Sequence, residues 1–71
     1  MTAGDRNELM SRLSELQSLC PDMRLGQLIA NMAVVARGTE PSAIWEMEDD
    51  ELLAAVMWQL EQLEGRRVEV A

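Results

Sequence analysis

Five carboxylates crowd into one short run, Glu46, Glu48, Asp49, Asp50 and Glu51, and no other stretch of the chain gathers so many groups able to do chemistry. Hard cations take carboxylate oxygens, so one reading is a cation site. Successive carboxylates at a helix start point in different directions, however, and the EF-hand spacing with its glycine is missing. A second reading makes Glu48 or Asp49 the cap of a helix whose positive end the other acids complement. A third makes the run a docking surface for a basic partner. Nucleophilic chemistry has little to work with: Cys20 is the one cysteine and histidine is absent, so no base stands ready to activate it. A structural zinc wants several Cys or His ligands. The sequence therefore assigns no catalytic, metal-binding or cofactor-binding residue, and Cys20 reads as a small hydrophobe at a helix end.

Arg24, Gln27 and Asn31 form the other candidate. At i, i+3 and i+7 they stack along one edge of a helix that is otherwise apolar. The edge is either solvated, or an internal network in which Arg24 pairs with the acids at Glu48 to Glu51 across the bundle, or a recognition strip whose amides and guanidinium read a partner. No acid, base and nucleophile can be assembled from it.

These groups need elements to position them, and the stretch from Pro21 to Gly38 is predicted to be the central one. Read at about 100° per residue, Leu25, Leu28, Ile29, Met32, Val35 and Ala36 share a broad face, and a helix so apolar is normally covered on several sides. Pro21 and Asp22 suit its opening, and Arg37 followed by Gly38 makes a stop. Gly26, Ala30 and Ala33 are small enough to let another helix approach closely.

Before it, a helix from Asp5 to Cys20 carries the stripe Leu9, Leu13, Leu16 and Cys20, with Asp5 and Glu8 at capping-box spacing. After Gly38 comes a loop through Ser42, then one helical turn over Ala43 to Met47, with Ile44, Trp45 and Met47 expected to plug the end of the core. The last helix spans Asp50 to Leu63 or Glu64, with Gly65 as its stop and a core stripe of Leu53, Val56, Met57, Leu60 and Leu63. Trp58 falls about 140° from Leu53. Either the stripe wraps round to cover it or it is exposed to a partner. Residues Arg66 to Ala71 should leave the helix, as a disordered tail or an edge strand.

Composition narrows the function classes. Seventy-one residues allow one domain, 1–71, with flexible tails at 1–4 and 66–71, and a small core that oligomerisation often supplements. A formal net charge of −7, with six dispersed arginines and no lysine, argues against nucleic acid and anionic membrane as partners. No segment approaches the ~20 apolar residues of a membrane span, and the polar N-terminus has no signal-peptide run, which points to the cytoplasm.

The series Arg24-Leu25-Gly26-Gln27-Leu28 with Asn31, followed by Trp45, Glu48, Asp49 and Leu52, resembles an R-[LF]-G-Q-L…N…[WF]-x-x-E-D-x-x-[LF] pattern of small bacterial helical proteins. The resemblance implies a bacterial origin and carries no activity with it. The sequence thus predicts an all-α, compact three-helix bundle with a short extra turn before the last helix. Its expected role is a non-enzymatic protein-interaction module whose partners include itself as a homodimer. The alternative is an acidic regulator (antitoxin, immunity or nucleic-acid-mimic type) that occupies a basic partner. Arg24, Gln27, Asn31, Trp45, Glu48, Asp49 and Trp58 are the candidate interaction residues.

Overall fold

Four helices follow one another in a computed structural model that describes the backbone of residues 3–70 and the side chains of 4–65. They are α1 (Ala3–Leu19), α2 (Leu25–Arg37), the single turn α3 (Ala43–Glu46) and α4 (Asp49–Val70). The expected bundle of three helices with a short turn before the last is the fold observed, and no strand occurs among the described residues. None of these helices is long and apolar enough to cross a membrane.

Leu9, Leu13 and Leu16 of α1 meet Leu28 and Met32 of α2 and Ala55, Val56 and Leu60 of α4 in one buried cluster, with Leu16 and Val56 wholly enclosed. Spacings of three and four residues bring each set onto one side of its helix. The hub is α4, which packs against both α1 and α2, while α3 packs against α2. The expectation that α2 would be the enclosed helix is therefore corrected. Leu28, Met32 and Ala33 are its buried residues, and Leu25, Val34 and Val35 stand out in solvent. The molecule is 18 Å thick along its shortest axis, about two helix diameters, and a body this thin cannot wrap a helix on all sides.

Several boundaries differ from the sequence reading, each for a local reason. α1 begins at Ala3, so Asp5 sits inside the first turn instead of capping it. It ends at Leu19, where Pro21 disfavours helical backbone for Cys20. The Cys20 N–H is shared between the carbonyls of Leu16 (3.1 Å) and Gln17 (3.2 Å). Pro21 does not open α2. Residues 20–23 form a turn closed by the Met23 N–H on the Cys20 carbonyl at 3.1 Å, and the Gln17 side-chain amide donates to the Met23 carbonyl at 2.8 Å. Arg24 is extended, with φ −71° and ψ 148°, and its carbonyl accepts the first helical bond, from Leu28.

Gly38 stops α2 as expected, at φ 93°, a conformation that side chains with a Cβ rarely adopt, and its N–H bonds the Val34 carbonyl at 2.8 Å. Gly65 does not stop α4, which runs on to Val70, so the expected tail is helical backbone up to that residue. A glycine costs a helix interior only about 1 kcal/mol, and a positive φ is confined to Gly38 among the described residues. Of the flexible ends expected at 1–4 and 66–71, Met1, Thr2 and Ala71 lie outside the described residues. Gly26 has nothing within 4 Å of where a Cβ would stand, so it serves no close helix approach.

Candidate functional site

The acidic run sits where α4 begins, and its charges are partly committed to holding the bundle together. Glu48 precedes the helix and its carbonyl accepts the Leu52 N–H at 3.0 Å. Three residues on, the Glu51 carboxylate reaches back to accept the Glu48 backbone N–H at 3.0 Å, which is the return half of a capping box. The same carboxylate receives the Arg37 guanidinium from the end of α2, with Nε–Oε2 at 3.0 Å and the second nitrogen at 3.1 Å from Oε1. Glu46 stands at 4.0 Å from Arg37. Asp49 pairs with Arg6 of α1. One helix start thus ties down both other long helices.

The electrostatics follow from these contacts. The Glu51 carboxyl is held below its ordinary range, first by the Glu48 N–H and then by Arg37. The Arg37 guanidinium is held above its usual value, first by its hydrogen bond to Glu51 and then by that carboxylate's charge. A lowered carboxyl contributes stability that is complete above the ordinary carboxylate range and is lost as pH falls through the lowered value.

Arg24 is not the residue that pairs with this run. It lies fully out on the surface with no ion-pair partner among the described residues, because the helix that would have aimed it at α4 starts four residues later than Pro21. Gln27 is likewise exposed, and Asn31 is exposed with its amide 3.6 Å from the Met23 sulfur. All three side chains of the seam face solvent, so it is not an internal network. Trp45 does not plug the core either. α3 is one turn long and has room for one inward residue, Ala43, which leaves Ile44 47 % and Trp45 75 % exposed. Trp58 is 49 % exposed on α4, the second of the two alternatives its position allowed. Met57, placed on the core stripe, is also exposed, while Cys20 is a free thiol packed at the core's edge.

Grooves border α2 on more than one side. A wide one of about 920 Å³ runs between α1 and the start of α2, lined by Met10, Leu13, Gln17, Met23, Leu25 and Ile29, with Asp22 and Arg24 at its rim. Met10 and Leu25 are more than half exposed there. Gln17 is half-buried, and its carbonyl oxygen is shielded from solvent with no hydrogen-bond partner. A smaller groove of about 310 Å³ lies between α2 and α4, lined by Val35, Ala36, Glu51, Ala54, Ala55 and Trp58.

The sequence reading did not find Arg6, Arg37 or Glu51 as a network, or the Met10–Leu25 groove. Glu48 and Glu51 were legible in principle, since their spacing matches a capping box. The partner arginines were not, because 43 residues separate Arg6 from Asp49 and 14 separate Arg37 from Glu51. Among the described residues no group of three His, Cys, Asp or Glu side chains is placed to hold a metal ion.

Fold and site together define a small helical bundle with a salt-bridged helix start and apolar grooves along α2. Compared with protein-family models, curated proteins and solved structures, the chain gives no match.

Proposed function

We propose that the chain is a non-enzymatic protein-interaction module of the cytoplasm that associates with itself. The observation that carries this reading is the placement of its aromatic residues. Trp45 and Trp58 are the only ones, and a chain with so small a core leaves both on the surface. Aromatic side chains bury more area than any others, so leaving them in water costs most where a core is scarce, and exposed tryptophans are enriched at the centres of protein contacts. Met10, Leu25, Val34, Val35, Ile44 and Met57 extend the apolar surface. For a reaction, the chain offers an exposed Arg/Gln/Asn edge, an acidic run in which Glu46, Asp49 and Glu51 face arginines, and a lone thiol without histidine.

The wide groove is the natural seat for a second copy. Its rim carries one charge of each sign, Asp22 and Arg24, so two copies of net charge −7 meet there without stacking like charges. Sedimentation velocity tests the reading. The expected result is a mass that rises with concentration through the micromolar range, and that returns to the monomer in a Met10→Gln, Leu25→Asn variant. A monomer at high micromolar concentration overturns it.

A further inference from the structure

We infer that the wide groove between α1 and the start of α2 is closed by the same groove of a second copy, about a two-fold axis at Met23 that sets Arg24 of each chain against the partner's Asp22. This rests on the reading of the chain as a self-associating module and supplies the register of that contact.

Two unspent charges carry the inference. Asp22 and Arg24 both line the groove, both are exposed, and neither has a hydrogen-bond or ion-pair partner among the described residues. Only Met23 separates them, which keeps their Cα atoms within about 7 Å. The α1 wall, made by Met10, Leu13, Ser14, Gln17 and Ser18, adds no charge, so this pair is the whole charge of the groove. Covering the wall also costs little. The Ser18 hydroxyl already donates to the Ser14 carbonyl at 3.1 Å and the Gln17 amide to the Met23 carbonyl at 2.8 Å, while the Gln17 carbonyl oxygen is out of water before any partner arrives. Met10, 60 % exposed, and Leu25, 58 % exposed, supply the apolar surface to be buried.

Charge selects the occupant. A strongly basic partner finds more to hold it where Glu48, Asp49 and Asp50 line a hollow beside Asp5. The wide groove, with one charge of each sign, complements a surface that also carries one of each. A second copy brings that surface. In a two-fold contact residue i meets j of the partner and j meets i. An axis through Asp22 or Arg24 would press like charges together, whereas an axis through Met23 makes two opposite pairs at once. The register follows from the order of three residues.

The test reverses the charges one at a time in the full chain and follows association by sedimentation velocity. Asp22→Arg makes both cross-pairs cationic and Arg24→Asp makes both anionic, so each variant alone should associate at least about tenfold more weakly than the native chain. Asp22→Arg also brings the net charge of −7 closer to neutrality, so general repulsion predicts tighter association for it and the pairing predicts weaker. An equal mixture of the two variants should recover a dimer containing one of each, and the double change Asp22→Arg, Arg24→Asp should recover self-association. In dilute solution, where the native chain is monomeric, both single variants should stay folded and melt close to it, which separates a contact role from a folding role. Self-association untouched by either single change removes this inference and leaves the module reading standing on another face. Single variants that dissociate but do not recover on mixing overturn the reciprocal pairing. A native chain that is itself monomeric at high micromolar concentration overturns the module reading, and this inference with it.

Discussion

The two ends of α2 are held by different physics. Its C-terminal end is fixed by directional contacts: a glycine in a backbone conformation open to few other residues, and an arginine shared with the capping box of α4. Its N-terminal end is held by a side-chain clamp from Gln17 and by burial of Leu28, while Arg24, Gln27 and Leu25 face solvent. Where charge and cap chemistry converge, the groove beside the joint is the smaller one, about 310 Å³, although Val34 and Val35 stay exposed there. Where they do not, a wide apolar groove opens.

The comparison can be broken at its base by Leu28→Ala, which removes the buried side chain anchoring the N-terminal half of α2. A loss of about 3 kcal/mol is expected from chemical denaturation, a large share of the total stability of a domain of this size. Gly38→Ala attacks the other end and should cost about 1–3 kcal/mol, since it forces a Cβ into a region glycine all but monopolises. The same change at Gly65 has the opposite sign. Nothing crowds the site and the backbone is helical, so Gly65→Ala should add about 1 kcal/mol to the denaturation free energy.

Smaller effects sharpen the contrast between the ends. Glu51→Gln keeps an acceptor for the Glu48 N–H and removes the charge facing Arg37. Its melting temperature should fall slightly at neutral pH, and the difference from the native chain should vanish as pH is lowered through the carboxylate range, where the Glu51 contribution is lost in any case. Thermal melts at a series of pH values check this, and added salt should shrink the gap at neutral pH. Arg24→Ala, by contrast, should leave the melting temperature unchanged at every pH, because the side chain has no ion-pair partner among the described residues.

Much of the fold was legible because it depends on local periodicity. Leu9, Leu13 and Leu16 announced the buried side of α1, Val56 and Leu60 that of α4, and Gly38 the end of α2, all from spacing or single-residue stereochemistry. The candidate site was legible in part. Trp58 stood out as an apolar residue on a polar side, and Glu48 as a helix start, but the pairing of Arg37 with Glu51 and of Arg6 with Asp49 needed the helices to be placed first.

The sequence by itself determined which segments coil and which side of each is apolar, since helix periodicity and glycine or proline stereochemistry act over a few residues. Tertiary structure alone decided that α4 and not α2 became the hub, that Trp45 stayed outside, and that Gly65 was carried through a helix. Those outcomes turn on how much surface three helices can cover in a body 18 Å thick, and on which charges meet across it, quantities that exist only once distant residues are brought together.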